Sequence, residues 1–170
     1  MAKYVPRHLR QNAPPPSTFT SDEINLRLDL VTQSHTLRPS SDDRLAAIFD
    51  YERAVAFTRG ATRAQIFCHS NLHYLPSNDQ SGVAGQYGTD EYPLFQTADL
   101  GGRTNSLDFV ALVRIVDIEV REPHSPELLK LLKAKFGDGA RDPVAWKKSL
   151  EMPWAVITLE KVEGGKNPMH

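Results

Sequence analysis

Leu107-Asp108-Phe109-Val110-Ala111-Leu112-Val113-Arg114-Ile115-Val116-Asp117-Ile118-Glu119-Val120-Arg121 is the stretch that decides the fold. Its first half is apolar on both faces through Phe109–Val113. Its second half alternates, with Val116, Ile118 and Val120 set against Asp117, Glu119 and Arg121. A strand buried on both sides at its centre and emerging half-exposed at its end has this pattern. The stretch therefore predicts a long strand at the middle of a sheet.

Downstream, Ser125-Pro126-Glu127 supplies an N-cap, a first-turn proline and an acid. Leu128, Leu129, Leu131, Leu132 and Phe136 follow at helical spacing, up to Gly137 as a terminator. Asp142-Pro143 repeats the start signal for a short helix carrying Trp146, and a last strand is expected from Trp154 to Val162, ended by Gly164-Gly165. Trp146 and Trp154 are read as core anchors beneath that strand. Upstream, Ile24, Leu26, Leu28 and Leu30 alternate with polar residues and predict a strand. Ser40-Ser41-Asp42-Asp43, followed by Leu45, Ile48, Phe49 and Glu52, predicts a helix ending near Arg53. Residues 54–57 and 65–75 are expected to form a hairpin across Arg59-Gly60-Ala61-Thr62, with a helix over 61–68 as the alternative. Residues 76–106 read as one long loop whose Tyr87, Tyr92, Leu94 and Phe95 pack.

The strand–helix order is not a strict βαβ alternation. The expected class is therefore α+β, a mostly antiparallel sheet rolled toward a barrel with two to three helices. Residues 1–23, polar and proline-rich, are read as a disordered arm, 24–162 as one domain and 163–170 as a flexible tail. Lys and Arg total 20 against 21 Asp and Glu, so no global field draws the chain to phosphate or membrane. The longest apolar run is far short of the ~18 residues of a membrane span, and no apolar segment follows the basic N-terminus to make a signal peptide. With a single cysteine, Cys68, the expected setting is intracellular, cytoplasmic or nuclear, with no membrane partner.

In the arm, Tyr4-Val5-Pro6-Arg7-His8-Leu9-Arg10 resembles the Tyr-Val-Pro-Pro-His-Leu-Arg segment of translation-linked DEAD-box RNA helicases, with Arg7 where that family has proline. The resemblance covers these seven residues. It implies docking on the cap-binding translation-initiation factor, or another ribonucleoprotein component, through Tyr4 and Leu9. Arg7 and Arg10 would then meet acidic groups or phosphate. The rest of the chain has neither a Gly-Lys-Thr phosphate loop nor an Asp-Glu-Ala-Asp box, so helicase activity is not implied.

In the folded region, Arg59, Arg63 and Arg103 interleave with aromatic residues. Together with His69, His73, Tyr87 and Tyr92 they are the candidate surface for single-stranded RNA. His69 and His73, four apart beside Cys68 and with Asp79 beyond, have a spacing that could share a metal. Neither a second Cys pair nor a His-Glu-x-x-His frame accompanies them, so no metal or other cofactor is assigned. Cys68 with His69, His73 or His124 and an acid from Asp90, Glu91 or Asp99 would be the parts of a nucleophilic site, against the reading of Cys68 as a small buried hydrophobe. Gly82–Gly88 lacks the Lys-Ser/Thr of a phosphate loop and reads as a turn. The expected function is a non-enzymatic binding or adaptor protein linked to RNA or translation, with the arm as partner motif and the 76–106 loop as the folded domain's ligand surface. The alternative is a small hydrolase or transferase built around His69, His73 and the 76–106 loop.

Overall fold

A computed structural model describes residues 18–32, 35–55, 57, 60–77, 87–98, 106–137 and 142–170. Among these residues seven strands and three α-helices follow in the order β1 (Thr18–Thr20), α1 (Ser21–Leu28), β2 (Leu37–Pro39), β3 (Leu45–Asp50), β4 (Arg63–Cys68), β5 (Tyr92–Thr97), β6 (Ser106–Arg121), α2 (Pro126–Phe136), α3 (Pro143–Glu151) and β7 (Trp154–Lys161). The class is α+β, and the sheet is mixed, in the order β2-β3-β5-β6-β7-β4 with β1 beside β6. All pairs are antiparallel except β3 with β5.

The long β6 is the spine, as expected. Its first half pairs with β5 and its second half with β7, which frees it to serve two parts of the sheet. Register shifts at Leu94/Phe95 and Ile115/Asp117 bend these strands. The sheet stays open, yet its two edge strands come near each other. Asn71, three residues beyond β4, donates its side-chain amide to the Leu37 carbonyl of β2 at 2.9 Å. A flat array of six strands would hold those edges some ~24 Å apart at ~4.8 Å per strand. The sheet must therefore curl around a core that includes Leu37, Ile48, Ile66, Leu94, Val113 and Ile157.

Both C-terminal helices form as their caps predict. The Ser125 hydroxyl accepts from Leu128 N, and the Asp142 carboxylate accepts from Val144 and Ala145 N. Leu128 and Leu132 bury against Trp154 of β7, and the Trp154 indole donates to the Ser149 carbonyl at 2.9 Å, tying α3 to the strand.

Several expectations are corrected. Residues 21–28 are a helix rather than a strand. Thr20 and Glu23 form a reciprocal capping box, Ile24 is buried, and Leu26, which the alternation placed inward, is 87% exposed. The Ser40–Asp43 cluster turns a hairpin instead of starting a helix. Ser40 N donates to Arg44 O, Asp43 takes a positive φ of 63°, and Leu45–Asp50 then runs as β3. Ser and Asp satisfy turn and helix-cap amides equally well, so composition alone does not separate the two. Residues 63–68 are a strand rather than a helix, and β4 pairs along its length with β7 instead of forming the expected hairpin. The 76–106 loop contains β5, set between β3 and β6. Pro93 lies just outside the β3–β5 pairing, which starts at Leu94, so its missing N–H removes no bond there.

The folded unit also exceeds the expected 24–162. Thr18–Thr20 pairs with β6 and Phe19 is buried. At the other end Pro168 O accepts from Arg27 Nε at 3.3 Å, Met169 packs on the Phe19 cluster, and the His170 ring lies 5.8 Å from that of Phe19. Residues 1–17 of the expected arm lie outside the described residues. Among the described residues, no helix is long and apolar enough to cross a membrane.

Candidate ligand-binding cleft

Where the curled sheet fails to close, a cleft remains between the turn after β3, the strand β4 and the helix α2. The turn is held by Asp50, only 3% exposed. Its carboxylate accepts from Ala54 N at 3.1 Å, Val55 N at 2.7 Å and the Gln96 amide at 2.9 Å, while Gln96 also donates to Val55 O. Arg53, with a φ of 54°, adds a guanidinium bond to Thr97 O, and the Thr97 hydroxyl donates to Tyr51 O. These bonds fix the backbone that presents Tyr51 and Glu52.

Tyr51 is further braced from below. Arg38 is 1% exposed and lies over the Phe49 ring, 4.2 Å from its centroid. It donates through Nη1 to Asn25 Oδ1 and through Nη2 to the Tyr51 hydroxyl. The guanidinium is thus held by neutral acceptors and an aromatic face, and its Nε has no hydrogen-bond partner among the described residues.

The cleft has two adjoining halves. The larger, of about 430 Å³, has Tyr51, Ile66, Phe67, Leu131 and Ala134 as its apolar walls. The smaller, of about 200 Å³, is bounded by His35, Cys68, His69, Ser70, Phe136 and Trp154. Thr36, Glu52, Phe67 and Lys135 line both. Lys135 stands at the junction, its side chain 18% exposed, ion-paired with the 58% exposed Glu52. Its ammonium also lies 6.0 and 5.6 Å from the Phe67 and Phe136 ring centroids. Phe67 stacks on Trp154 at 4.6 Å, and His69 meets the same indole edge-on at 4.5 Å with its Nδ1 3.4 Å from Ser70 Oγ. Aromatic surface, an ammonium, hydroxyls and imidazoles therefore converge in one opening.

Of the candidate site residues read from sequence, His69 and the buried Cys68 line this cleft. His73 does not: its ring sits 4.0 Å from Tyr74 and lines a separate cavity with Asp43, Asp90 and Tyr92. Burial, with Asp90 adding to it and Arg44 opposing, pushes the Tyr92 phenol up. The hydrogen bond that Tyr74 donates to Asp43 does the same for Tyr74. Arg63 pairs with Glu160 across the β4–β7 ladder at 2.8 Å, and the Tyr87 hydroxyl lies 3.4 Å from Ile118 O. Cys68 is buried, and burial pushes its thiol up to about 12, with Lys135 acting the other way. Such a thiol is protonated at neutral pH and is a poor nucleophile. Among the described residues no three metal-ligating side chains gather. Tyr4, Arg7, Leu9, Arg10, Arg59, Asp79, Asp99 and Arg103 lie outside the described residues.

Tyr51 and Lys135 are not among the residues read from sequence, and Glu52 stands there only in the expected helix ending near Arg53. For Lys135 a signal existed. Leu128, Leu131 and Lys135 follow at i, i+3 and i+7, so a lysine occupies the continuation of the apolar stripe. No protein-family model matches the chain, and comparison with curated proteins and with solved structures finds no match.

Proposed function

We propose that the protein is a non-enzymatic binding protein linked to RNA, whose folded domain takes its ligand in the cleft between β4 and α2. In this reading the Tyr4–Arg10 peptide engages a partner of the translation machinery, in the cytoplasm or nucleus. The observation that carries the reading is the aromatic, largely apolar opening with the ammonium of the half-buried Lys135 where its two halves adjoin. Single-stranded RNA is bound by this combination, because every base offers a flat face to stack and every link carries a phosphate. Opposed to the enzyme alternative is the placement of His69 and His73 in different cavities, with the Cys68 thiol beside His69 buried and pushed up to about 12.

The test is anisotropy titration of labelled six-nucleotide single-stranded RNA against the full chain at two salt concentrations. Binding should weaken with salt by a slope of about 0.7 per phosphate contacted. Phe67→Leu should weaken it further at both salts. Binding that is absent, or indifferent to Phe67, would refute the reading. In parallel, alanine at both Tyr4 and Leu9 should abolish capture of the cap-binding initiation factor while leaving RNA binding intact.

A further inference from the structure

The two halves of the cleft differ in chemistry, and the difference specifies more than a general affinity for RNA. The larger half offers flat apolar surface from Tyr51 and Phe67, and its 430 Å³ falls within the ~300–1,000 Å³ typical of small-molecule sites. The smaller half is walled by His35, His69, Ser70 and Lys135, groups that can donate hydrogen bonds to an anion. Between them the Lys135 ammonium is matched by Glu52, which stands on the solvent side of the pair, 58% exposed against 18% for the lysine.

We infer that the cleft is a seat for one nucleotide, with its base against Tyr51 and Phe67 in the larger half and its phosphate on Lys135 in the smaller, where Glu52 occupies the anion's place when the seat is empty. This rests on the RNA-binding reading and adds where a single nucleotide sits and what competes with it. A base needs a flat apolar slot and a phosphate needs donors a few ångströms away, and here both adjoin one ammonium. A free carboxylate ligand would use Lys135 but leave the aromatic slot unfilled. A purely apolar ligand would leave the donors unused.

The two members of the ion pair should respond to substitution in opposite directions. Lys135→Met keeps the apolar stem that packs beside Phe67 and removes the charge. Glu52→Gln removes the competitor and leaves the lysine. Calorimetric titration of the full chain with adenosine and uridine monophosphates, the matching nucleosides, inorganic phosphate and six-nucleotide single-stranded RNA reads the outcome. Lys135→Met should lower nucleotide affinity about tenfold, the effect of losing one charged hydrogen bond, and leave nucleoside affinity unchanged. Glu52→Gln should raise nucleotide affinity severalfold and again leave the nucleosides unchanged. Inorganic phosphate should compete with nucleotides and not with nucleosides. If RNA binds but both variants leave its affinity unaltered, the seat is refuted while the RNA reading stands. If neither RNA nor mononucleotide binds, both fail. Equal loss of nucleoside and nucleotide binding in Lys135→Met would show the lysine to be structural and would also overturn the seat. Should Lys135→Met not fold, Glu52→Gln alone decides, because a structural role for the ion pair cannot produce a gain confined to phosphate-bearing ligands.

Discussion

Replacing Asp50 by alanine should be among the more damaging single changes in this protein, and its size can be worked out bond by bond. The carboxylate serves three donors. Val55 N is buried, at 2.7 Å, and would be left unsatisfied at a cost of about 1–3 kcal/mol. Gln96 keeps Val55 O as an acceptor, so its share is about 1 kcal/mol. Ala54 is exposed and its N–H can turn to water, which limits that loss to about 0.5 kcal/mol. The total, about 2.5–4.5 kcal/mol, corresponds to a fall in Tm of about 10 °C for a chain of this size. Asp50→Asn retains one acceptor oxygen but turns an amide donor toward the other N–H groups, and should lose about half as much. Urea denaturation followed by circular dichroism measures both. The turn carrying Tyr51 and Glu52 hangs on this carboxylate, so RNA binding should weaken in Asp50→Asn at temperatures where the variant is still folded. A loss below about 1 kcal/mol for Asp50→Ala would show that the turn is held by other contacts and that Asp50 does not set the cleft wall.

Two further outcomes are expected. Leu132→Ala empties a fully buried position between α2 and Trp154 and should destabilise the fold by about 2–5 kcal/mol, with Trp fluorescence shifting to the red as the indole gains water; a change under 1 kcal/mol would mean that α2 is not docked as described. Because the Cys68 thiol is raised by burial from 9.0 to about 12, its contribution to stability is complete below pH 9 and lost as pH climbs toward 12, where the unfolded chain ionises and the native one does not. Wild type should therefore lose up to about 1.4 kcal/mol more per pH unit across that window than Cys68→Ala, and identical alkaline slopes in the two proteins would contradict the buried thiol.

The parts that were legible in the residues are those whose signals are local. The β6 pattern names a strand buried at its centre because period 2 and apolar content are properties of one segment. Ser125-Pro126 and Asp142-Pro143 start α2 and α3 because a cap oxygen reaches amides only two or three residues away. One local signal was present and overlooked: the Thr20–Glu23 capping box marks α1, while the alternation from Ile24 to Leu30 suggested a strand.

Other choices were not local. Ser40–Asp43 could cap a helix or turn a hairpin, and β2, already paired with the following segment, decided for the hairpin. Tyr92–Thr97 is too short and too proline-marked to declare itself, and becomes a central strand only because β3 and β6 offer it partners on both sides. The cleft was least legible of all. Tyr51, Phe67 and Lys135 lie on a turn, a strand and a helix widely separated along the chain, and each has an ordinary local reading. They meet because β4 crosses to pair with β7, the sheet curls until its open edges face each other, and α2 lands across the gap on Trp154. A sequence window carries the preferences of each segment, but the opening is a property of how a bent sheet stops short of closing, and that depends on pairings between residues far apart in the chain.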